Sequence, residues 1–362
     1  MAAANAAAQR VSKSKGSPMA RLNRLALIAL SALALAPALP SVAAAQDKPL
    51  TKITFSLDFI PLGRHAPWYA AVVEGFYKQE GLDVSIIPSQ GTAQTIQAIE
   101  AGTAQLGFTD VPSLVLARAN GAKVKMVAVN YQKAPYAIFS LNTGANVTDA
   151  KQLEGLTLGS GAGSFTPKVI AGFMTQHKLD PNKLVISNVA PPARATALIS
   201  GQVPAIEFFV MSKPGLEAAA KGKGAELRTF LLADHGLTLY SNGVVASEDY
   251  LAKNADVVKR FVHASLRGWQ FALKNPQKAA EDQAKLVPSL DAAKSVAEIE
   301  VVKGLAVTPA VEKNGLGSFD PAEMKSSLDF MVKYVGVGVG DKPPAATDLY
   351  ATGFLPATPI KP

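Results

Sequence analysis

Short apolar runs alternate along this chain with longer stretches in which apolar positions recur every three or four residues. The first pattern belongs to strands buried on both faces, the second to amphipathic helices. Over the first third they predict strands at 52–57, 83–88, 105–108 and 124–130, with helices at 67–79, 92–101 and 112–120 between them. Gly81, Gly102 and Gly121 each stand just past a helix, where a left-handed residue commonly ends one. Such alternation predicts an α/β fold with a mostly parallel sheet flanked by helices.

At Tyr136 the alternation starts afresh. Strands are predicted at 136–141, 157–159, 184–188, 205–209 and 226–232, and helices at 167–177, 194–200 and 214–221. An extended segment at 239–246 follows, and the pattern then turns almost wholly helical through Tyr334. Val257, Val258, Phe261, Val262, Ser265, Leu266, Trp269, Ala272 and Leu273 form one apolar stripe, with Lys259, Arg260, Arg267 and Lys274 off it. Asn275-Pro276 ends that helix. Trp269 lies on the stripe and is assigned to the core. The glycine-rich run Gly336-Val337-Gly338-Val339-Gly340, with Pro343 and Pro344 after it, reads as a strap over the surface.

The first 45 residues have a different character. Arg10, Lys13, Lys15, Arg21 and Arg24 precede and flank an apolar run from Leu25 to Pro37, and Ala43-Ala44-Ala45 precedes Gln46. This is the layout of a cleavable signal peptide, cut near Ala45-Gln46. The five leader cations account for most of the formal charge of +8, leaving +3 for the remainder. No basic run with interleaved aromatics remains, so a nucleic-acid partner is not expected. The chain has no cysteine, which excludes a disulfide scaffold, a lipidated cysteine and a thiolate metal site. The four histidines are scattered, and no metal site and no cofactor are expected.

Candidate chemistry gathers at strand C-termini, which in sheets of this type line one ligand-bearing edge. The turns are Leu57-Asp58-Phe59 through Arg64-His65, Ser89-Gln90-Gly91-Thr92, Thr109-Asp110, Gly159-Ser160-Gly161-Ala162-Gly163-Ser164, and Pro191-Pro192-Ala193-Arg194. Asp110 and Thr92 also fit as helix N-caps. The glycine turn lacks the acid of a dinucleotide fingerprint and the Lys-Ser or Lys-Thr of a P-loop; it remains a helix N-terminus able to meet an anion or polar ligand. No nucleophile elbow and no catalytic triad can be read, so no enzyme activity is expected.

Three motifs carry a family resemblance: Leu57-Asp58-Phe59-x-Pro61 with His65-Ala66-Pro67; Glu74-Gly75-Phe76-Tyr77 with Gly81-Leu82-Asp83-Val84; and Leu266-Arg267-Gly268-Trp269 through Asn275-Pro276. With them the chain resembles, from about Lys52 to Tyr334, the NMT1/THI5-like and sulfonate-binding branch of the type II periplasmic binding proteins of ABC importers. The resemblance implies a signal peptide at 1–45, one lobe from 46–133 and 239–342, a second from 134–238, and a tail at 343–362. Crossing segments at 130–135 and 235–241 would join the lobes, with ligand in the cleft between them. By position the ligand contacts would be Asp58, Phe59, Arg64, His65, Trp68, Gln90, Thr109, Asp110, Ser160, Ser164, Phe165, Arg194 and Glu207. The protein is then expected to be a periplasmic monomer that passes a small organic molecule to an ABC permease. Phe59, Trp68, Phe165 and Phe208 favour a flat ring, such as a thiamine-pyrimidine precursor. The alternative is a sulfonate, taurine, nitrate or aromatic carboxylate held by Arg64, Arg194 and the 159–164 turn. Fungal pyrimidine synthases of the same family consume the corresponding histidine and carry a cysteine-rich motif, which this chain lacks.

Overall fold

A computed structural model describes residues 49–161, 164–337 and 343–362. The expected leader, residues 162–163 of the glycine turn and residues 338–342 of the expected strap lie outside the described residues.

Two five-stranded sheets organise the chain. The strands are β1 (Thr51–Ser56), β2 (Leu82–Ile87), β3 (Leu106–Asp110), β4 (Val124–Val129), β5 (Tyr136–Leu141), β6 (Thr157–Ser160), β7 (Val185–Asn188), β8 (Ala205–Phe209), β9 (Leu227–Leu231) and β10 (Asn242–Ser247). The first sheet runs β2-β1-β3-β10-β4 and the second β7-β6-β8-β5-β9. In each, one strand is antiparallel to its neighbours: β10 between β3 and β4, and β5 between β8 and β9. These are the two strands that directly follow a passage between sheets. The chain leaves the first sheet after β4 and enters the second at β5; it leaves after β9 and returns at β10. Both sheets carry helices, and the fold is the two-lobed α/β architecture of periplasmic binding proteins. Because β5 and β10 arrive from the opposite lobe, they enter at the edge where the parallel strands end. That places both crossings and both sets of strand C-termini together.

Local sequence accounts for most elements. Gly81, Gly102 and Gly121 all adopt positive φ (69°, 72° and 90°) directly after helical segments. The helix expected over 67–79 is two, Ala66–Val73 and Phe76–Gln79, because Gly75 between them adopts φ 74°. The long helix is Ala255–Lys274, and Phe261, Leu266 and Trp269 on its stripe are fully buried. It packs on Ala66–Val73 so closely that a Cβ at Gly268 would collide with the Pro67 carbonyl and the Ala71 side chain. This contact explains the glycine in the Leu266-Arg267-Gly268-Trp269 motif.

After the undescribed segment the chain runs along the first sheet. The Met126 N–H donates to the Leu349 carbonyl (2.8 Å), Ala351 N–H donates to Met126 O (2.9 Å), and Leu349 is fully buried. This part of the tail therefore contributes to the edge beside β4. No described helix is long and apolar enough to cross a membrane.

Candidate ligand-binding site

At the end of β1 the chain turns and immediately makes a closed polar network. Arg64 donates to Asp58 from both terminal nitrogens, Nη1 to Oδ2 (2.8 Å) and Nη2 to Oδ1 (2.9 Å). His65 Nε2 lies 2.7 Å from Oδ1, and Asn242 Nδ2 donates to Oδ2 (2.7 Å). Asp58, Arg64 and His65 are 4%, 3% and 0% exposed. The Leu62 N–H donates to His65 Nδ1 (3.0 Å), which fixes the tautomer. Nδ1 is the acceptor, so Nε2 carries the proton and gives it to Asp58. Burial and the adjacent Arg64 charge push the His65 pKa down to about 4, so the ring is neutral at ordinary pH. Burial by itself would raise Asp58, but the Arg64 charge and the His65 and Arg64 hydrogen bonds outweigh it and hold the carboxyl at about 2.

The network reaches the crossing segments. The Asn242 carbonyl accepts from both Asn130 N–H (2.8 Å) and Tyr131 N–H (2.9 Å), and its side-chain oxygen accepts from Ser241 Oγ (2.8 Å). A single asparagine at the start of β10 thus joins the first turn to the chain between the lobes.

The second lobe has a counterpart. Glu207, on β8 and 2% exposed, receives Arg194 Nη1 at 2.7 Å. Ser160 Oγ and Ser164 Oγ each donate to the same carboxylate oxygen at 2.8 Å. Arg194 also donates from Nε to Val189 O and from Nη1 to Glu207 O, both at 3.1 Å, and its guanidinium stands 5.1 Å from the Phe208 ring centroid. A Cβ on Gly161 would approach Arg194 Nη2 to 2.8 Å, so this position of the glycine turn gives the arginine its space.

Other expected residues divide by exposure. Phe59 is 39% exposed at the end of β1, beside Ile60 at 42%. Gln90 is exposed, while Ser164 and Phe165 are half-buried. Thr109 is fully buried, and its hydroxyl has no partner among the described residues. Asp110 caps the helix Val111–Ala119, accepting from Ser113 N–H (2.8 Å) and Ser113 Oγ (3.0 Å). Burial raises its pKa, and the nearby Asp58 charge adds to the shift.

Trp68 is a correction. It is fully buried among Phe55, Phe108 and Trp269, at ring-centroid distances of 4.7, 5.2 and 5.7 Å, and faces the core instead of the cleft. The residue follows a crevice turn in sequence, but the helix beginning at Ala66 turns it inward. Phe208 lies under Arg194, while the next residue, Phe209, is the exposed one (37%). Strand alternation carries the signal for this, since residues two apart share a face and Phe209 shares that of Glu207. Asn242 escapes the sequence reading because it owes its place to the crossing topology.

One relationship governs what the site can bind. Each lobe brings one buried arginine to the cleft edge, and each arginine is already paired with a buried carboxylate of its own lobe. An anion would have to compete with Asp58 or Glu207 for these charges, and would leave the displaced carboxylate buried without its partner, which is unfavourable.

The fold and this edge of paired polar residues give the chain the two-lobed α/β architecture of periplasmic binding proteins. The sequence profile of the family described as NMT1/THI5 like matches residues 63–279, and the chain belongs to that family. Among curated relatives it is 29% identical to the riboflavin-binding protein RibY of Chloroflexus aurantiacus, over 66% of this chain and 67% of that one. It is 24% identical to the formylaminopyrimidine-binding protein of Halalkalibacterium halodurans, over 65% and 71%. It is also 25% identical to the 4-amino-5-hydroxymethyl-2-methylpyrimidine phosphate synthase THI5 of Saccharomyces cerevisiae, over 66% and 72%. Among solved structures the periplasmic aliphatic sulphonate binding protein SsuA from Escherichia coli superposes with a TM-score of 0.63 at 15% identity, over 84% of this chain and 92% of that one.

Proposed function

We propose that this chain is the solute-binding component of an ABC importer, exported to the periplasm, that captures an uncharged planar heterocycle between its lobes and delivers it to a permease. The observation that carries the ligand class is the internal neutralisation of Arg64 by Asp58 and of Arg194 by Glu207. With both charges matched inside their lobes, a sulfonate or nitrate gains little there, whereas an aromatic ring meets the exposed faces of Phe59 and Phe209. Two relatives whose names state riboflavin and formylaminopyrimidine binding agree with a flat, nitrogen-rich ligand.

The synthase reading takes its support from the yeast relatives. Against it stands His65, fully buried with both ring nitrogens engaged, where a reacting imidazole would need to be reached. The chain also lacks cysteine.

Equilibrium titration of the purified protein against a panel of pyrimidines, flavins, sulfonates and nitrate tests the proposal. Saturable binding of a heterocycle with no response to the anions is expected. Binding of anions alone, lost in Arg194→Ala, would overturn the ligand class. A product formed from His65 would overturn the receptor.

A further inference from the structure

The helix Pro321–Phe330 joins the two lobes outside their crossings. Its near end is fixed to the first lobe and to both crossing segments. Val129 N–H, at the end of β4, donates to the Gly317 carbonyl (3.0 Å), and Gln132 Nε2 of the first crossing donates to Ser318 O (2.7 Å). In the second crossing Tyr240 N–H donates to Ser327 Oγ (3.0 Å), and its hydroxyl accepts from Asp320 N–H (3.1 Å).

The far end of the same helix lies on the second lobe. It continues as a single π-turn, Met331–Val335, and rests on the helix Thr166–Gln176 between β6 and β7. A Cβ on Gly172 would stand 3.0 Å from both Phe330 Cζ and Tyr334 Cβ, so the missing side chain is what lets the two elements touch. Phe330 and Met331 join Ile170, Phe173 and Met174 in one buried apolar cluster. Among the described residues no hydrogen bond or ion pair links these two elements.

An apolar contact without directional bonds can slide, and shear between packed helices is one of the ways lobes move. The π-turn adds slack. It holds an extra residue in its turn, and relaxing it to α geometry would advance the chain beyond it by one residue's rise, ~1.5 Å.

We infer that the seat of Phe330 and Tyr334 on Gly172 is a sliding joint, a third link between the lobes that sets how far the cleft opens. Rotation about the crossings has to carry this contact with it, because the helix is held to the second crossing at Ser327 and to the second lobe at its end. The joint belongs to the two-lobed architecture and acts alike whatever the cleft binds.

The test therefore uses the full chain without ligand. Double electron–electron resonance between spin labels at Gln90→Cys and Ala193→Cys measures the separation of the lobes. These are exposed strand-end positions, one in each lobe, and no native cysteine competes for the label. Tyr334→Ala removes one wall of the seat, and Gly172→Leu drives a wedge into it. Both should shift or broaden the distance distribution. Lys325→Ala, an exposed change on the same helix, should leave it as in wild type. Tyr334 is only half-buried, so Tyr334→Ala should keep a melting temperature close to wild type and decides the matter should the wedge prevent folding. A wild-type distribution in folded Tyr334→Ala overturns the joint. An equal shift in Lys325→Ala overturns it as well, since the effect would then be a general loosening of the helix.

Discussion

Asp58 and Arg64 form a two-pronged ion pair, with both guanidinium terminal nitrogens on the two carboxylate oxygens at 2.8 and 2.9 Å and neither side chain more than 4% exposed. His65 and Asn242 fill the remaining acceptor positions, so this carboxylate has little left to offer a ligand. Its consequence is architectural: hydrogen bonds through Asn242 tie the turn after β1 to the crossing segments and the start of β10. The equivalent pair in the other lobe, Arg194 with Glu207, fixes the glycine turn to β8 through Ser160 and Ser164. Two separately pinned cleft edges suit a receptor that closes by rotating lobes about their crossings.

Removing one member of the Asp58–Arg64 pair strands the other charge in the interior. Asp58→Ala or Arg64→Ala should each lose about 3–5 kcal/mol of unfolding free energy, read from urea denaturation midpoints. The double variant Asp58→Leu/Arg64→Met should lose less than either single change, since no lone charge remains. A double variant as damaged as the sum of the singles would show that the two side chains do not act as a pair.

Stability should fall as the solution is acidified, in two stages. Burial and the Arg64 charge hold the His65 pKa in the folded chain at about 4, against an ordinary 6.5. The unfolded chain therefore binds the proton first, and stability present above pH 6.5 is lost as pH falls toward 4, by about 3 kcal/mol. Asp58, held at about 2 against 3.8, then loses its contribution as pH falls from 3.8 toward 2. Unfolding at pH 7.5, 5.5 and 4.5 should follow this slope, and His65→Gln should flatten it above pH 4. An equally steep slope in His65→Gln would assign the effect to other groups.

Elements made from local contacts are the ones legible in the sequence. The strands, the glycine C-caps and the Ala255–Lys274 helix follow from periodicity and turn chemistry. The site was legible as a set of strand-end turns but less so as roles. Trp68 was misjudged because proximity to a crevice turn says nothing about the face its helix turns inward. Asp58, Arg64 and His65 stand together in sequence, yet that they satisfy one another depends on Asn242, which is 184 residues away from Asp58. Tyr136 and Phe209 meet only through the antiparallel register of β5 on β8. Long-range pairing of this kind leaves no local pattern.

The two tryptophans should report the core together. Their rings stand edge to face at 5.7 Å and both residues are fully buried, although sequence reading separated them into a cleft residue and a core residue. Intrinsic emission should be blue-shifted and resistant to acrylamide in wild type, Trp68→Phe and Trp269→Phe alike. Any change on ligand binding should be small and should survive either substitution. A large ligand response abolished only in Trp68→Phe would place that indole at the cleft.

Phe59 and Phe209 are the exposed aromatics at the strand ends of the two lobes, 39% and 37% exposed. Neither fills the core, so Phe59→Ala and Phe209→Ala should change unfolding free energy by no more than about 0.5–1 kcal/mol. If a flat ring lies between them in the closed state, each substitution removes a stacking face worth about 0.5–1.5 kcal/mol, a few-fold to about tenfold in dissociation constant. The double variant should lose both increments, because both faces are engaged only once the lobes close on the ligand. Affinities measured by calorimetry beside melting curves separate binding from folding. Affinity unchanged in the double variant would take the ring off these faces and return the ligand class to small polar molecules.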